Sequence, residues 1–195
     1  MAIEPSGEPG GFRWVPEGGN PAVEAFHAVR RMTYASTGSR APADLVRSGQ
    51  GACTAKHLLL AELLNSVGVP ARVDMVFGAF GAGLPEAPGM PEELRTMVRE
   101  GGVPDYHNVV TATIDGGEIL LDATWHDAMA PLGFPVNDGW DGHGSTRPAV
   151  QGRTVEPRGG DIPARKAELI AALPARDQER RQRFIELITR YSVAQ

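Results

Sequence analysis

Residues 48–70 read SGQGACTAKHLLLAELLNSVGVP and contain Cys53, the only cysteine of the chain. Five leucines and several other good helix formers between residues 52 and 67 predict a helix that is apolar around most of its circumference. Such a helix is expected to lie buried in the centre of a fold. Gly68 is placed to end it in a left-handed conformation, and Pro70 then turns the chain. Cys53 is therefore predicted at the first turn of a central helix.

A β-hairpin is predicted later in the chain. Two strand-like runs, 107–114 and 118–125, are joined around an Asp-Gly dipeptide at 115–116, which is typical of a tight hairpin turn. With that dipeptide at the centre of the turn, His107 and Asp122 lie diagonally on one face, roughly 7–8 Å apart at the backbone. Their side chains are then within reach of each other.

A thiol, an imidazole and a carboxylate are the parts of a nucleophilic acyl-transfer site. The N-terminus of a helix favours the thiolate form of Cys53, and a histidine held by a carboxylate supplies the base and later the proton donor. We therefore predict that Cys53, His107 and Asp122 form a catalytic group. Gln50 would donate to the oxyanion beside the Cys53 amide, or it is a simple turn residue.

The remaining segments extend this core. Residues 1–19 carry Gly, Pro and Glu without hydrophobic periodicity, so we expect a flexible arm that Phe12 and Trp14 could attach to the body. Residues 20–195 are expected to form a single domain. Within it we expect a helix from Pro21 to near Tyr34, a helical turn at 42–47, a strand at 71–80, an insertion near 78–104 with a helix at 91–100, a long loop at 135–160, and C-terminal helices at 163–173 and 174–191.

Composition narrows the class of protein. The chain has 195 residues, of which 42% are hydrophobic, and this suffices for one sizeable core. A single cysteine excludes an internal disulfide, and no apolar signal segment opens the chain, so a cytoplasmic location is expected. No stretch approaches the roughly 20 apolar residues of a membrane span. A net charge of -5 argues against a nucleic-acid partner, and the cluster Arg180, Arg181 and Arg183 is expected to be a solvated helical face.

Three motifs follow one another in the chain: Gly51-Ala52-Cys53-Thr54-Ala55-Lys56-His57 with the later run LLNSVGVPARV, then Tyr106-His107-Asn108-Val109, then Leu121-Asp122-Ala123-Thr124. In this order they resemble the transglutaminase-like superfamily of papain-fold cysteine enzymes, over residues 50–125. The resemblance implies an α+β fold, with the cysteine helix packed on an antiparallel sheet and the C-terminal helices as additions. It also implies a Cys53, His107 and Asp122 triad, no metal or cofactor, and acyl transfer from an amide, ester or thioester. Family members often have an aromatic residue after the cysteine and a tryptophan two residues after the histidine, so Thr54 and Val109 predict a different acyl pocket.

The sequence leaves three functions open. The first is an enzyme that forms a thioester at Cys53 and passes the acyl group to water or an amine, with a small-molecule or peptide substrate covered by a lid at 78–104. The second is an acyltransferase or cyclase that starts from a thioester on a carrier protein or coenzyme A. The third is a non-catalytic module of the same fold that binds a peptide or partner in the cleft. The oligomeric state is open as well.

A metal site is the weaker alternative for Cys53. His57 lies four residues later in the chain and would share its helix face, as a metal pair requires. Further ligands would have to come from residues that the sequence does not place: His126, Asp127, Asp141 or His143. We therefore favour the nucleophile and expect no metal.

Overall fold

The computed structural model describes residues 3–81, 83–156 and 160–195. Its strands are β1 (Ile3–Pro5), β2 (Phe12–Trp14), β3 (Thr33–Tyr34), β4 (Gln50–Gly51), β5 (Ala71–Phe80), β6 (Val103–Ile114), β7 (Gly117–Leu121) and β8 (Gln151–Glu156). Its helices are α1 (Pro21–Arg31), α2 (Pro42–Ser48), α3 (Cys53–Ser66), α4 (Glu92–Glu100), α5 (Ile162–Ala171) and α6 (Ala175–Val193), with a 3-10 helix at Asp127–Leu132. Strands β7, β6, β5 and β8 form an antiparallel sheet in that order. The mixture of helices with an antiparallel sheet confirms the α+β class.

The central helix of the fold is α3, as its leucines predict. Cys53 is its first residue, and Leu59, Leu60, Leu63 and Leu64 are fully buried. The helix packs against α1 and against strands β5 and β6. Burial of each leucine side chain contributes about 1.5–3 kcal/mol, so these contacts hold α3 in the core.

The hairpin of β6 and β7 has the predicted register. Ile114 pairs with Gly117, and Val110 pairs with Leu121. The turn residue Asp115 has a φ of 52°, in the left-handed region that this kind of hairpin turn requires. The ladder ends at Leu121, so the next residue leaves the sheet at the point where the site lies.

Residues 3–14 form a docked hairpin where the sequence led us to expect a flexible arm. Strands β1 and β2 pair, and Trp14 is buried. The Trp14 backbone N–H donates to Ser66 Oγ at 2.9 Å, and its indole Nε1 donates to Glu24 at 3.1 Å. The tryptophan thus attaches the hairpin to α3 and α1, because a buried indole needs both apolar contact and a polar partner.

The tract 135–160 is not the uninterrupted loop that the sequence predicts, because it contains β8. This strand pairs with β5 across the close approach of two glycines, Gly78 and Gly152. A Cβ on Gly78 would lie 2.1 Å from the Gln151 carbonyl oxygen, and one on Gly152 would lie 2.1 Å from the Phe77 oxygen. The strand depends on backbone proximity instead of apolar alternation, so the hydrophobic pattern does not reveal it.

We expect Gly152→Ala to separate β8 from β5. Overpacking of this kind costs about 1–3 kcal/mol, which corresponds to a melting temperature lower by roughly 3–10 °C in a chain of this size. Gly117→Ala is the matched control in the same sheet, since its Cβ would meet nothing closer than the Ile114 oxygen at 3.8 Å. Thermal melting followed by circular dichroism measures both, and equal melting temperatures would contradict the close approach.

The connection between β5 and β6 is shorter than the predicted insertion, because residues 78–80 belong to β5 and 103–104 to β6. It contains α4, near the predicted 91–100. Leu94 and Val98 of α4 belong to a buried cluster that includes Phe184 and Ile188 of α6. Helices α5 and α6 lie within two residues of their predicted bounds. Among the described residues, no helix is both long enough and apolar enough to cross a bilayer.

Candidate active site

Cys53 is positioned by the loop that precedes α3. Strands β3 and β4 pair in parallel, with Tyr34 opposite Gly51, so the chain is tied down two residues before the cysteine. The N-cap residue Ala52 provides no side-chain hydrogen bond to the first turn. The N–H groups of that turn and the positive end of the helix dipole therefore favour negative charge at Cys53.

His107 and Asp122 come together as the hairpin register predicts. His107 Nε2 donates to Asp122 Oδ2 at 2.8 Å, and both side chains are buried. A ring nitrogen of His107 lies within 4.8 Å of Cys53 Sγ. The three side chains therefore converge in the order thiol, imidazole, carboxylate.

The Asp122 carboxylate is held by the backbone as well as by His107. Its Oδ1 accepts from the Thr124 N–H at 2.9 Å, and its Oδ2 accepts from the Ala149 N–H at 2.7 Å. The Asp122 backbone N–H in turn donates to Thr146 Oγ1 at 2.7 Å. Asp122 is thus both the partner of the imidazole and an anchor of two loops.

His57 holds the start of α3, and its two ring nitrogens bond to backbone groups and not to the sulfur. Its Nε2 accepts from the Ala123 N–H at 2.9 Å, so Nδ1 carries the proton and donates to the Cys53 carbonyl oxygen at 2.8 Å. Both ring nitrogens are therefore occupied by backbone groups. This arrangement argues against a metal pair of Cys53 and His57.

A cluster of charged side chains from β6, α5 and α6 lies beside the sulfur, and the sequence did not predict it. Lys166 of α5 places Nζ 3.3 Å from Cys53 Sγ and 3.7 Å from Asp105 Oδ2. Arg181 of α6 donates from Nε to Asp105 Oδ1 at 2.6 Å. Lys166 and Asp105 are both at least 97% buried. No local pattern in the sequence points to this cluster, because Lys166 lies 113 positions from Cys53 in the chain.

The expectation of a solvated face for Arg180, Arg181 and Arg183 is wrong for Arg181. Its side chain is 13% exposed, because it reaches the buried carboxylate of Asp105. Helical spacing alone does not distinguish an arginine that faces solvent from one that faces a buried acid in a neighbouring strand.

A small cavity of about 70 Å³ adjoins the sulfur. Its walls include the hydroxyl-bearing residues Tyr34, Ser36, Ser39 and Thr54, together with the guanidinium of Arg40. Lys166, Asp105 and Arg181 also line it. Such a volume holds a few water molecules or the reactive end of a substrate.

Opposite shifts of two pKa values favour an ion pair at the centre of the site. Burial by itself raises the pKa of the Cys53 thiol, but the positive charges of Lys166 and His107 outweigh it and lower the pKa to about 5. Burial likewise opposes the charge of His107, but Asp122 and the Cys53 thiolate raise its pKa to about 10. Cys53 is therefore a thiolate and His107 an imidazolium across the neutral range.

The two carboxylates of the site are ionised for separate reasons. Burial acts to raise the pKa of Asp122, but the charge and hydrogen bond of His107 bring it well below its ordinary value. Burial also acts against Asp105, whose pKa is lowered by Lys166 and then by Arg181. The site thus contains alternating charges, with each anion beside at least one cation.

The same arrangement makes the site a poor metal centre. Within the described ranges, the group that could supply three ligands is Cys53, Asp105 and His107, whose ligand atoms lie within 4.8 Å of one another. Lys166 and Arg181 already neutralise this group. A metal ion there would face two cations at close range, which is costly in a buried site.

Gln50 lies in β4, half-buried, three residues before Cys53. It is not among the residues that line the cavity, so its role as an oxyanion donor stays a prediction.

The lid that we expected at 78–104 does not lie over the cavity. Apart from Ala82, which is not described, that segment contributes none of the cavity walls, and α5 and α6 cover the sulfur instead.

No family model matches the chain, and no curated protein matches it. Among solved structures, the chain is similar to a "Putative Cysteine Protease" from Cytophaga hutchinsonii, with 20% identity and a TM-score of 0.39. The similarity covers 60% of this chain and 32% of that protein, so the chain spans about a third of its length. At this TM-score the similarity carries no functional argument, and the function has to be inferred from the geometry of the site.

Proposed function

We propose that the chain is a transglutaminase-like cysteine enzyme that forms a thioester at Cys53 and transfers the acyl group to water or an amine. One observation carries the proposal: a cysteine at the uncapped start of a buried helix stands beside His107, whose other ring nitrogen binds Asp122 at 2.8 Å. The helix packed on an antiparallel sheet supports the papain-like core that the sequence motifs imply.

The chemistry follows from the ion pair. The thiolate sulfur attacks the carbonyl carbon, a C–S bond forms, and the leaving group departs with the proton of the His107 imidazolium. In the second step His107, now neutral, takes a proton from the water or amine that attacks the thioester. Asp122 keeps the ring oriented and stabilises its charged form in both steps.

The cavity suggests the scale of the substrate. Its 70 Å³ admits a small acyl group or the reactive end of a longer molecule, such as a peptide or an acyl thioester. Ser36 and Gly38, which are exposed, line it toward solvent. A carrier-protein or coenzyme A thioester would have to place its chain across this rim.

Intact mass spectrometry tests the proposal with a panel of an aryl thioester, an activated ester and a glutamine-containing peptide. We expect the protein to gain one acyl group from at least one donor, and Cys53→Ala to gain none. Decay of the adduct in buffer indicates hydrolysis, whereas decay only after an amine is added indicates transfer. Absence of an adduct from every donor, in protein whose Cys53 still reacts with iodoacetamide, would favour the binding module instead.

A further inference from the structure

The two lysines of the chain are both buried, but their ammonium groups are used differently. All other basic residues are arginines, 17 of the 19. Lys56 Nζ donates to the backbone carbonyl oxygens of Arg30, Met32 and Thr124 at 3.1, 2.7 and 2.9 Å. These bonds satisfy its three N–H groups, so Lys56 is a structural residue. Lys166 has no such set of carbonyl acceptors within the described chain.

The ammonium of Lys166 is directed at the reacting atom. Its only hydrogen-bond acceptor among the described residues is Cys53 Sγ, at 3.3 Å, since Asp105 at 3.7 Å lies beyond hydrogen-bond distance. An ammonium that is 97% buried requires a close negative charge, and a thiolate supplies it. Lys166 and Cys53 both line the cavity, so the ammonium is available to a substrate carbonyl that meets the sulfur there.

We propose that Lys166 is a catalytic residue of the Cys53 site: its ammonium stabilises the thiolate and then donates a hydrogen bond to the oxyanion of the tetrahedral intermediate. The oxyanion part rests on the proposed function. When the sulfur attacks, the C–S bond forms and the carbonyl electron pair moves to oxygen, so the negative charge passes from sulfur to an atom bonded to the same carbon. Lys166 bonds first to the sulfur and then to the oxygen and keeps its proton throughout, as a preorganised donor does.

Asp105 and Arg181 are the positioning residues of this arrangement. The buried residues of helix α5 are Ile162 and Lys166, so the lysine helps to hold the helix over the sulfur. Asp105 attracts the ammonium from β6 and is itself held by Arg181 of α6 at 2.6 Å. The C-terminal helices are therefore part of the site and not an addition to it.

The test exploits the single cysteine, whose thiolate absorbs in the ultraviolet and can be titrated directly. Lys166→Met removes the charge and the donors at similar length, and Lys166→Arg restores both. Arg165→Met is the matched control, because it removes the same charge from the same helix but its side chain bonds to Glu168 at 3.0 Å and not to the sulfur. The charged and titratable groups that face the sulfur from the surrounding elements are Tyr34, Lys56, Asp105, His107, Lys166 and Arg181.

We expect Lys166→Met to raise the midpoint of thiolate formation by at least about one pH unit, while Lys166→Arg and Arg165→Met stay near the parent value. Acylation of Cys53 by a reactive thioester is expected to slow on the order of 10²-fold in Lys166→Met and to recover largely in Lys166→Arg. A Lys166→Met protein with the parent midpoint and the parent acylation rate would overturn the proposal. A parent protein that is never acylated contradicts the proposed function and with it the oxyanion role, whereas the midpoints still decide the contact with the thiolate.

If Lys166→Met does not fold, the unmodified protein provides the readout. Labelling with ¹⁵N-lysine gives two side-chain signals, one for each lysine. Alkylation of Cys53 by iodoacetamide removes the thiolate charge, so we expect the Lys166 signal, whose ammonium contacts the sulfur at 3.3 Å, to move much further than the Lys56 signal. Lysine signals that are both unchanged by complete alkylation would overturn the contact.

Discussion

Asp122→Asn is expected to lower turnover by about 10³–10⁴, with a reactive thioester as the acyl donor. The carboxylate accepts from His107 Nε2 at 2.8 Å and holds that nitrogen protonated, which leaves the other ring nitrogen to the sulfur. An amide at this position removes the charge that stabilises the imidazolium. It also permits the wrong tautomer, because its NH₂ group can donate to an unprotonated Nε2. Single-turnover acylation of Cys53, followed by intact mass, measures the loss.

The structure predicts that the same variant also melts at a lower temperature. Thr124 and Ala149 donate backbone N–H groups to different oxygens of Asp122, so either orientation of an amide sets its NH₂ group against an N–H. Stability alone therefore does not separate an anchor from a catalytic carboxylate. Thr146→Val is the control, since it removes the acceptor of the Asp122 backbone N–H and leaves the carboxylate intact.

We expect Thr146→Val to lose about 1–3 kcal/mol of unfolding free energy and to retain most of its acylation rate. Both variants should thus lose stability, but only Asp122→Asn should lose most of its activity. If Asp122→Asn acylates at the parent rate below its melting temperature, the carboxylate is structural and the group reduces to Cys53 and His107.

His107→Ala is expected to raise the midpoint of the Cys53 titration by about one to three pH units, toward the value of about 8.5 for a free thiol. Burial raises the pKa of Cys53, and with the imidazolium gone only Lys166 opposes it among the two cations that bring the pKa to about 5. At pH 6 a larger fraction of Cys53 is therefore thiolate in the parent protein than in His107→Ala. The ultraviolet absorbance of the thiolate measures this directly, because no other cysteine contributes.

His143→Ala is the matched control for that titration. Its side chain is 79% exposed, and its charged neighbour is Asp115 at 4.0 Å, in the hairpin turn. We expect its Cys53 titration to coincide with that of the parent protein. A His107→Ala protein that titrates like the parent would contradict the ion pair, and reactivity toward iodoacetamide that is equally unchanged would remove His107 from the site.

Local patterns in the sequence determined the central helix and the hairpin. The leucines of α3 permit only a buried position, and the Asp-Gly turn at 115–116 specifies which residues of β6 and β7 face each other. A hairpin register is set by the turn, so counting residues outward from the turn predicted that His107 and Asp122 lie close together. The helix-start position of Cys53 followed in the same way from its place before an apolar run.

Only the tertiary structure decided which residues cover the sulfur. Lys166 and Cys53 are 113 positions apart, and no periodicity relates α5 to the start of α3. The burial of Arg181 and the docking of Trp14 likewise depend on partners from distant elements. Strand β8 needs a backbone approach at Gly78 and Gly152 that leaves no hydrophobic pattern. Local patterns thus determined contacts within one helix or hairpin, and the three motifs together implied that Cys53 meets His107. The other contacts between distant elements depend on how those elements pack, which local patterns do not encode.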